Sequence, residues 1–136
     1  MAETVQYLVA RADLGMSAGK LAAQCAHASS TIVLAFAGCQ RGMRHGERLP
    51  EHIEAFRDWA TGSFAKVVLR VRDRVRMDAL LLSLDELALP HCVIRDACRT
   101  ELAPEEPDGS TLTCIGIVPI LRDRVPEVLQ KLQVYQ

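Results

Sequence analysis

Lys20, Gln24, His27 and Thr31 recur at spacings of four, three and four, so a helix through them would carry all four side chains on one face. Ser17 is a natural N-cap for that helix, which puts Lys20 at its third position, where a capping box would place Glu or Gln and where the helix dipole disfavours a cation. Free backbone N–H groups at a helix start attract an anion, and a lysine beside them adds a point charge, making a place for a phosphate or a developing oxyanion. Dipole effects amount to only about 0.3–1 kcal/mol, so an exposed lysine on a frayed first turn stands as the alternative. His27 has two readings: a general base suited to neutral pH, or a ring satisfied by a neighbouring carbonyl at a solvated edge.

A second group lies far along the chain, in Arg95-Asp96-Ala97-Cys98-Arg99-Thr100. Asp96 directly follows the strand His91-Cys-Val-Ile-Arg95, so a carboxylate is presented where a rigid strand opens into an irregular loop. Arg95 and Arg99 flank it and favour its ionised form, fit to orient a water or a substrate hydroxyl, and Thr100 adds a donor and acceptor. An Asp-turn stapled by Arg and Thr is the purely structural alternative.

The elements needed to bring these groups together are legible. Gln6 to Arg11 reads as a strand, with Tyr7 to Ala10 apolar throughout. From Ser17 an apolar stripe at Leu21, Cys25, Ala28, Ile32, Ala35 and Phe36 predicts a helix, and Ala22, Ala23, Ala26, Ala28 and Ser29 keep it slim enough to approach a sheet closely. Residues 38–50, with three glycines and Arg41, Arg44 and Arg48, read as a surface connection. Glu51 to Ala60 predicts a short helix, Ala65 to Val71 a strand, and Asp73 caps a helix to about Leu87. His91 to Arg95 and Thr111 to Val118 are two more strands, joined by a loop with Pro104, Pro107 and Gly109. A last helix is predicted from about Asp123 to Leu132, with Pro126 in its first turn. Alternating strands and helices imply one α/β domain over residues 1–136, with helices covering the faces of a mainly parallel or mixed sheet and sites at the carboxyl ends of strands.

Composition narrows the functional classes. The 136 residues are 49% hydrophobic, enough for one core, and the net charge of −1 carries no global nucleic-acid signature, so any RNA contact must come from a local patch. Thirteen of sixteen basic residues are arginine, and the alternating Arg70, Arg72, Arg74 and Arg76 read first as a solvated face, with phosphate contact as the other option. Six aromatic side chains argue against a base-stacking platform. No apolar run approaches the roughly 18 residues of a membrane helix, and neither a leader nor a C-x-x-C pair is visible, so a cytoplasmic chain with reduced thiols is expected. His27, His45, His52 and His91 show no zinc-like spacing, and no phosphate-binding or dinucleotide fingerprint occurs; neither metal nor cofactor is expected.

Residues 11–28, Arg-Ala-Asp-Leu-Gly-Met-Ser-Ala-Gly-Lys-Leu-Ala-Ala-Gln-Cys-Ala-His-Ala, closely resemble a signature of the archaeal and eukaryotic type of peptidyl-tRNA hydrolase. Residues 94–104, Ile-Arg-Asp-Ala-Cys-Arg-Thr-Glu-Leu-Ala-Pro, resemble that family's second signature, and Trp59 followed by Ala65 to Val71 resembles its middle strand. The resemblance implies a four-stranded mixed sheet covered by helices on both faces, and hydrolysis of the ester between peptide and tRNA without metal or cofactor. It further places Lys20, Gln24, Asp96 and Thr100 in the active site and implies peptidyl-tRNA as partner and a homodimer; the chemistry of the residues assigns Lys20, Asp96 and Thr100 as catalytic and Gln24, His27, Arg95 and Arg99 as substrate-binding. Cys98 replaces a usual glycine, Glu101 a glutamine, Val118 a glycine and Ser63-Phe64 a Gly-Gln pair, and residues 38–50 run longer than usual; added bulk and the acidic Glu101 are expected to narrow the substrate range or repel RNA. The alternatives are a catalytically weakened relative that binds tRNA ends or a protein partner, and a hydrolase of small acyl esters or amides.

Overall fold

The apolar run at Tyr7 to Ala10 forms the middle of β1 (Thr4–Arg11), where Val5, Leu8, Val9 and Ala10 are all essentially buried. The computed structural model describes residues 3–47 and 50–136; Arg48, one of the three arginines of the surface connection, lies outside them. The helix α1 (Ala18–Phe36) begins at the expected cap, Ser17, whose hydroxyl accepts from the Lys20 N–H, and α3 (Arg74–Glu86) begins at Asp73, whose carboxylate accepts from Arg76 N–H. Between them stand α2 (Pro50–Thr61) and β3 (Ala65–Val71), while β4 (His91–Asp96) and β5 (Thr111–Ile117) complete the four strands read from the sequence.

The sheet is larger than those four strands. Three two-residue strands join it, β2 (Met43–Arg44), β6 (Ile120–Leu121) and β7 (Gln133–Val134), giving seven strands in the order β2-β4-β5-β1-β3-β7, with β6 also against β1. The expectation of four strands is thus corrected to seven. Two residues are too few to show an alternating pattern, so such strands are specified by the edge they pair with and not by their own sequence. Among the described residues only β1 and β3 pair in parallel; the other pairings are antiparallel, which makes the sheet mixed.

Alternation along the strands splits the core in two. Leu8 and Ala10 of β1 pack with Ala28 and Ile32 of α1, whereas Val9 packs with Leu69, Met77, Leu80 and Leu84 on the α3 side. The approach of α1 to the sheet is tight at one point: a Cβ on Gly116 would meet the Ala28 carbonyl oxygen at 3.0 Å and the Cys92 sulfur at 3.1 Å. Of the small residues expected there, Ala28 and Ser29 face the sheet while Ala22, Ala23 and Ala26 face outward. Phe36 at the end of α1 stacks on Phe56 of α2 at 4.2 Å, and the fully buried Trp59 donates to the Ala65 carbonyl at 2.7 Å.

The last predicted helix is broken. Arg122–Arg124 make a single 3-10 turn and Glu127–Gln130 a single α turn (α4), with Val125 and Pro126 extended between them. A residue before proline is pushed out of the helical region, and Pro126 serves as the cap and not as an interior residue.

Candidate active site

The connection from β1 to α1 and the carboxyl end of β4 meet at one end of the sheet, and there the two groups of residues converge. Asp96 is the last residue of β4 and not the first of the loop, so its backbone is held by pairing with Thr111. The Lys20 ammonium lies 3.0 Å from Asp96 Oδ1, and the Gln24 amide nitrogen donates to the same oxygen at 3.3 Å. The other carboxylate oxygen accepts the Cys98 N–H at 3.0 Å. Both charged side chains are mostly covered, Lys20 at 14% and Asp96 at 11% exposure, so the pair is screened less than a surface ion pair would be.

Thr113 is a site residue that sequence reasoning missed. The β4–β5 register slips between Ile94/Arg95, where Ile94 faces Cys114 and Arg95 faces Leu112, so Thr113 is the extra residue of a bulge. The bulge turns the Thr113 hydroxyl toward α1, where it donates to Gln24 Oε1 at 2.6 Å. That bond fixes which end of the buried Gln24 amide points at Asp96. No residue-type pattern announces a bulge; the short polar alternation Thr111-Leu-Thr-Cys is the only trace of it in the chain.

The helix start is organised by Glu101. Glu101 accepts from the Ser17 N–H at 2.9 Å and from the Ser17 hydroxyl at 2.7 Å, while the same hydroxyl oxygen accepts the Lys20 N–H at 3.2 Å. The Ser17 N–H, and then its hydroxyl, hold the Glu101 carboxyl below the ordinary carboxylate range. Its charge is therefore tied to the cap. Ala18 and Gly19, the first two helical residues, keep N–H groups without an intrahelical partner, and space beside Gly19 is open to 4 Å. Cys98 adopts φ 59°, the left-handed conformation that favours glycine, and this turn aims its N–H back at Asp96.

Arg11 braces the whole end of the sheet. Its buried guanidinium donates to Asp13, to the Leu112 carbonyl at 3.0 Å and to Glu105 at 2.9 Å, tying β1 to β5 and to the loop that leaves Asp96. Hydrogen bonding to Glu105 first, then to Asp13, holds its pKa above the ordinary arginine value.

The remaining expected residues are placed more loosely. His27 is exposed and makes no hydrogen bond to Asp96; at 100° per residue it has turned about 120° from the middle of the buried stripe. Thr100 and Arg99 are exposed on the turn after Cys98, and Arg95 is exposed on β4; among the described residues none of the three side chains bonds to Lys20, Gln24 or Asp96. In the connection, Arg44 is engaged with Asp85 at 3.4 Å, and Arg41 is exposed. The described residues contain no group of three or more His, Cys, Asp or Glu arranged to hold a metal ion. No helix among them is long and apolar enough to cross a membrane.

An ammonium, a primary amide and free helix N–H groups around one carboxylate can do two things together. The carboxylate can hold and deprotonate a water, and the donors can take up negative charge on a carbonyl oxygen under attack.

Comparison with known proteins gives this arrangement a context. Residues 4–135 match the family model described as peptidyl-tRNA hydrolase PTH2. A peptidyl-tRNA hydrolase of Haloquadratum walsbyi is 34% identical over 130 residues, covering 96% of this chain and 98% of that protein. One of Methanopyrus kandleri is 37% identical over 127 residues, 90% of each chain. The mitochondrial peptidyl-tRNA hydrolase 2 of Homo sapiens is 38% identical over 128 residues, 94% of this chain and 62% of that longer protein.

Proposed function

The chain belongs to the peptidyl-tRNA hydrolase PTH2 family, and from that premise we propose that the Lys20–Gln24–Asp96 cluster is where it cleaves the ester joining a peptide to tRNA. The protein is a hydrolase of peptidyl-tRNA, and the reading as a catalytically weakened relative is not favoured. The observation that carries the assignment is the shared carboxylate oxygen of Asp96, held by Lys20 and Gln24 at the start of α1.

Hydrolysis needs a water, an oxyanion site and a proton for the departing ribose oxygen. Asp96 orients the water and takes its proton as the oxygen attacks the ester carbonyl carbon. Lys20, with the free N–H groups of Ala18 and Gly19, takes the negative charge on the carbonyl oxygen. As the bond to the ribose oxygen breaks, the proton held by Asp96 passes to that oxygen, leaving a free tRNA hydroxyl and a peptide carboxylic acid. Gln24, set by Thr113, and Thr100 hold the ester. His27, about 10 Å along the helix from Lys20 at 1.5 Å per residue, is a contact for the RNA at the rim and not the base. Arg95 and Arg99 are phosphate contacts, supported by their exposure beside Asp96. A cytoplasmic location and a homodimer belong to the same proposal, supported by the family resemblance; sedimentation of the purified chain tests the second.

The test is release of N-acetyl-amino acid from N-acetyl-aminoacyl-tRNA. Lys20→Ala and Asp96→Asn are each expected to lower kcat by about 100-fold or more, the scale of losing an oxyanion donor. Near-normal turnover in both variants would remove these residues from the mechanism.

A further inference from the structure

A cleft of about 530 Å³ opens on the opposite face of the sheet from α1, between β3, α3 and the C-terminal turn. Its exposed rim carries Arg72, Arg76 and Lys131, with Arg70 contributing at the β3 edge from the strand position that faces α1, its covered floor includes Leu80 and Val128, and no acidic residue lines it. This concentration of three cations stands out in a chain whose net charge is −1. The rim charges are available. Arg72 has no hydrogen bond or ion pair among the described residues. Arg76 and Lys131 pair with Asp73 at 2.9 Å and Glu127 at 3.4 Å in exposed positions, and such pairs are worth little enough to be exchanged for another anion.

The location ties this cleft to the reaction centre. Ala12 lines it, directly after the Arg11 that holds the loop leaving Asp96, and five residues before the cap of the Lys20 helix. Cleft and centre therefore flank the same end of the sheet, one on each face. The carboxylates between them, Glu105 and Glu106, are engaged by Arg11 and Arg74.

We propose that this cleft docks the RNA part of the substrate: its guanidinium and ammonium groups take backbone phosphates some way from the reacting ester, and its apolar floor takes the face of an adjoining nucleoside. The inference rests on the hydrolase reading above and adds to it a surface outside the Lys20–Asp96 cluster. Phosphate contacts position a nucleic acid without reading its sequence, so they act on KM and on salt dependence, not on bond breaking.

Two substrates separate the possibilities: N-acetyl-aminoacyl-tRNA, and the same aminoacyl ester on a short oligonucleotide matching the tRNA end. For Arg72→Ala/Lys131→Ala, KM for the tRNA is expected to rise about tenfold at roughly 0.1 M salt, with the slope of log KM against log salt reduced by about two. The kcat values and the short-substrate kinetics should remain those of the wild type, and Arg57→Ala on α2, on the other face, should change nothing. An unaltered KM for tRNA, or a rise shared equally by the short substrate, overturns the proposal. If wild type hydrolyses neither ester, the hydrolase reading fails on its own; docking is then read as binding of uncharged tRNA, where a tenfold loss in the double variant sustains it and equal affinity refutes it.

Discussion

The Gln24 amide is useful to the reaction only in one of its two orientations, and a single hydroxyl decides which. Thr113→Val keeps the side-chain shape but removes the donor, leaving Gln24 Oε1 buried without a partner. The expected cost is about 1–3 kcal/mol of stability and roughly a tenfold fall in kcat as the amide loses its aim at Asp96. Thr113→Ser should restore both, and equal kcat in all three proteins would show that the amide orientation is irrelevant. Lys20 and Asp96 were legible in the sequence because each sits at the junction of a strongly patterned element with a turn. Thr113 was not, because a bulge inverts the alternation that would have sent its side chain to the other face. His27 shows the opposite limit: spacing put it on the Lys20 face, only about 20° away, but two turns farther along the helix, about 10 Å from Lys20, where it is exposed.

An element carries these residues only as accurately as it is seated. The seat of α1 is the contact of Ala28 with Gly116 and Cys92, where the Cys92 thiol donates to the Ala28 carbonyl at 3.4 Å. Gly116→Ala would put a methyl within 3.1 Å of backbone and side-chain atoms that have no flexible end to yield. We expect about 1–3 kcal/mol of destabilisation, read as a lower urea midpoint, with turnover reduced because α1 must shift. An unchanged midpoint would mean that helix and sheet are less closely coupled. Caps and long strands were readable for the same reason that they are stable, since each repeats a local rule over many residues. The two-residue strands and the division of the last helix at Pro126 were not readable, because pairing at a sheet edge and the steric demand of one proline outweigh a composition that favours helix.

At the scale of the molecule, Arg11 and Glu105 join the first strand to a loop 94 residues later. Hydrogen bonding to Arg11 holds the Glu105 carboxyl below its ordinary value. The unfolded chain therefore binds the extra proton first, so the stabilisation is complete above about pH 4.3, the ordinary glutamate value, and is lost as pH falls through the lower folded value. Glu105→Gln should cost about 1–3 kcal/mol at neutral pH and should flatten the acid limb of stability against pH; a parallel acid limb in the variant would place the titrating group elsewhere. The alternation of strands and helices was evident from the sequence, whereas the pairing order was not, since nothing local says that β1 lies in the middle. That central position has a consequence for synthesis. Strand β1 waits for partners at residues 65–71, 111–117 and 120–121, while Lys20 waits for Asp96 and Gln24 for Thr113. A growing chain is itself a peptidyl-tRNA, and until residues 111–117 have emerged it has no assembled centre with which to cut itself free.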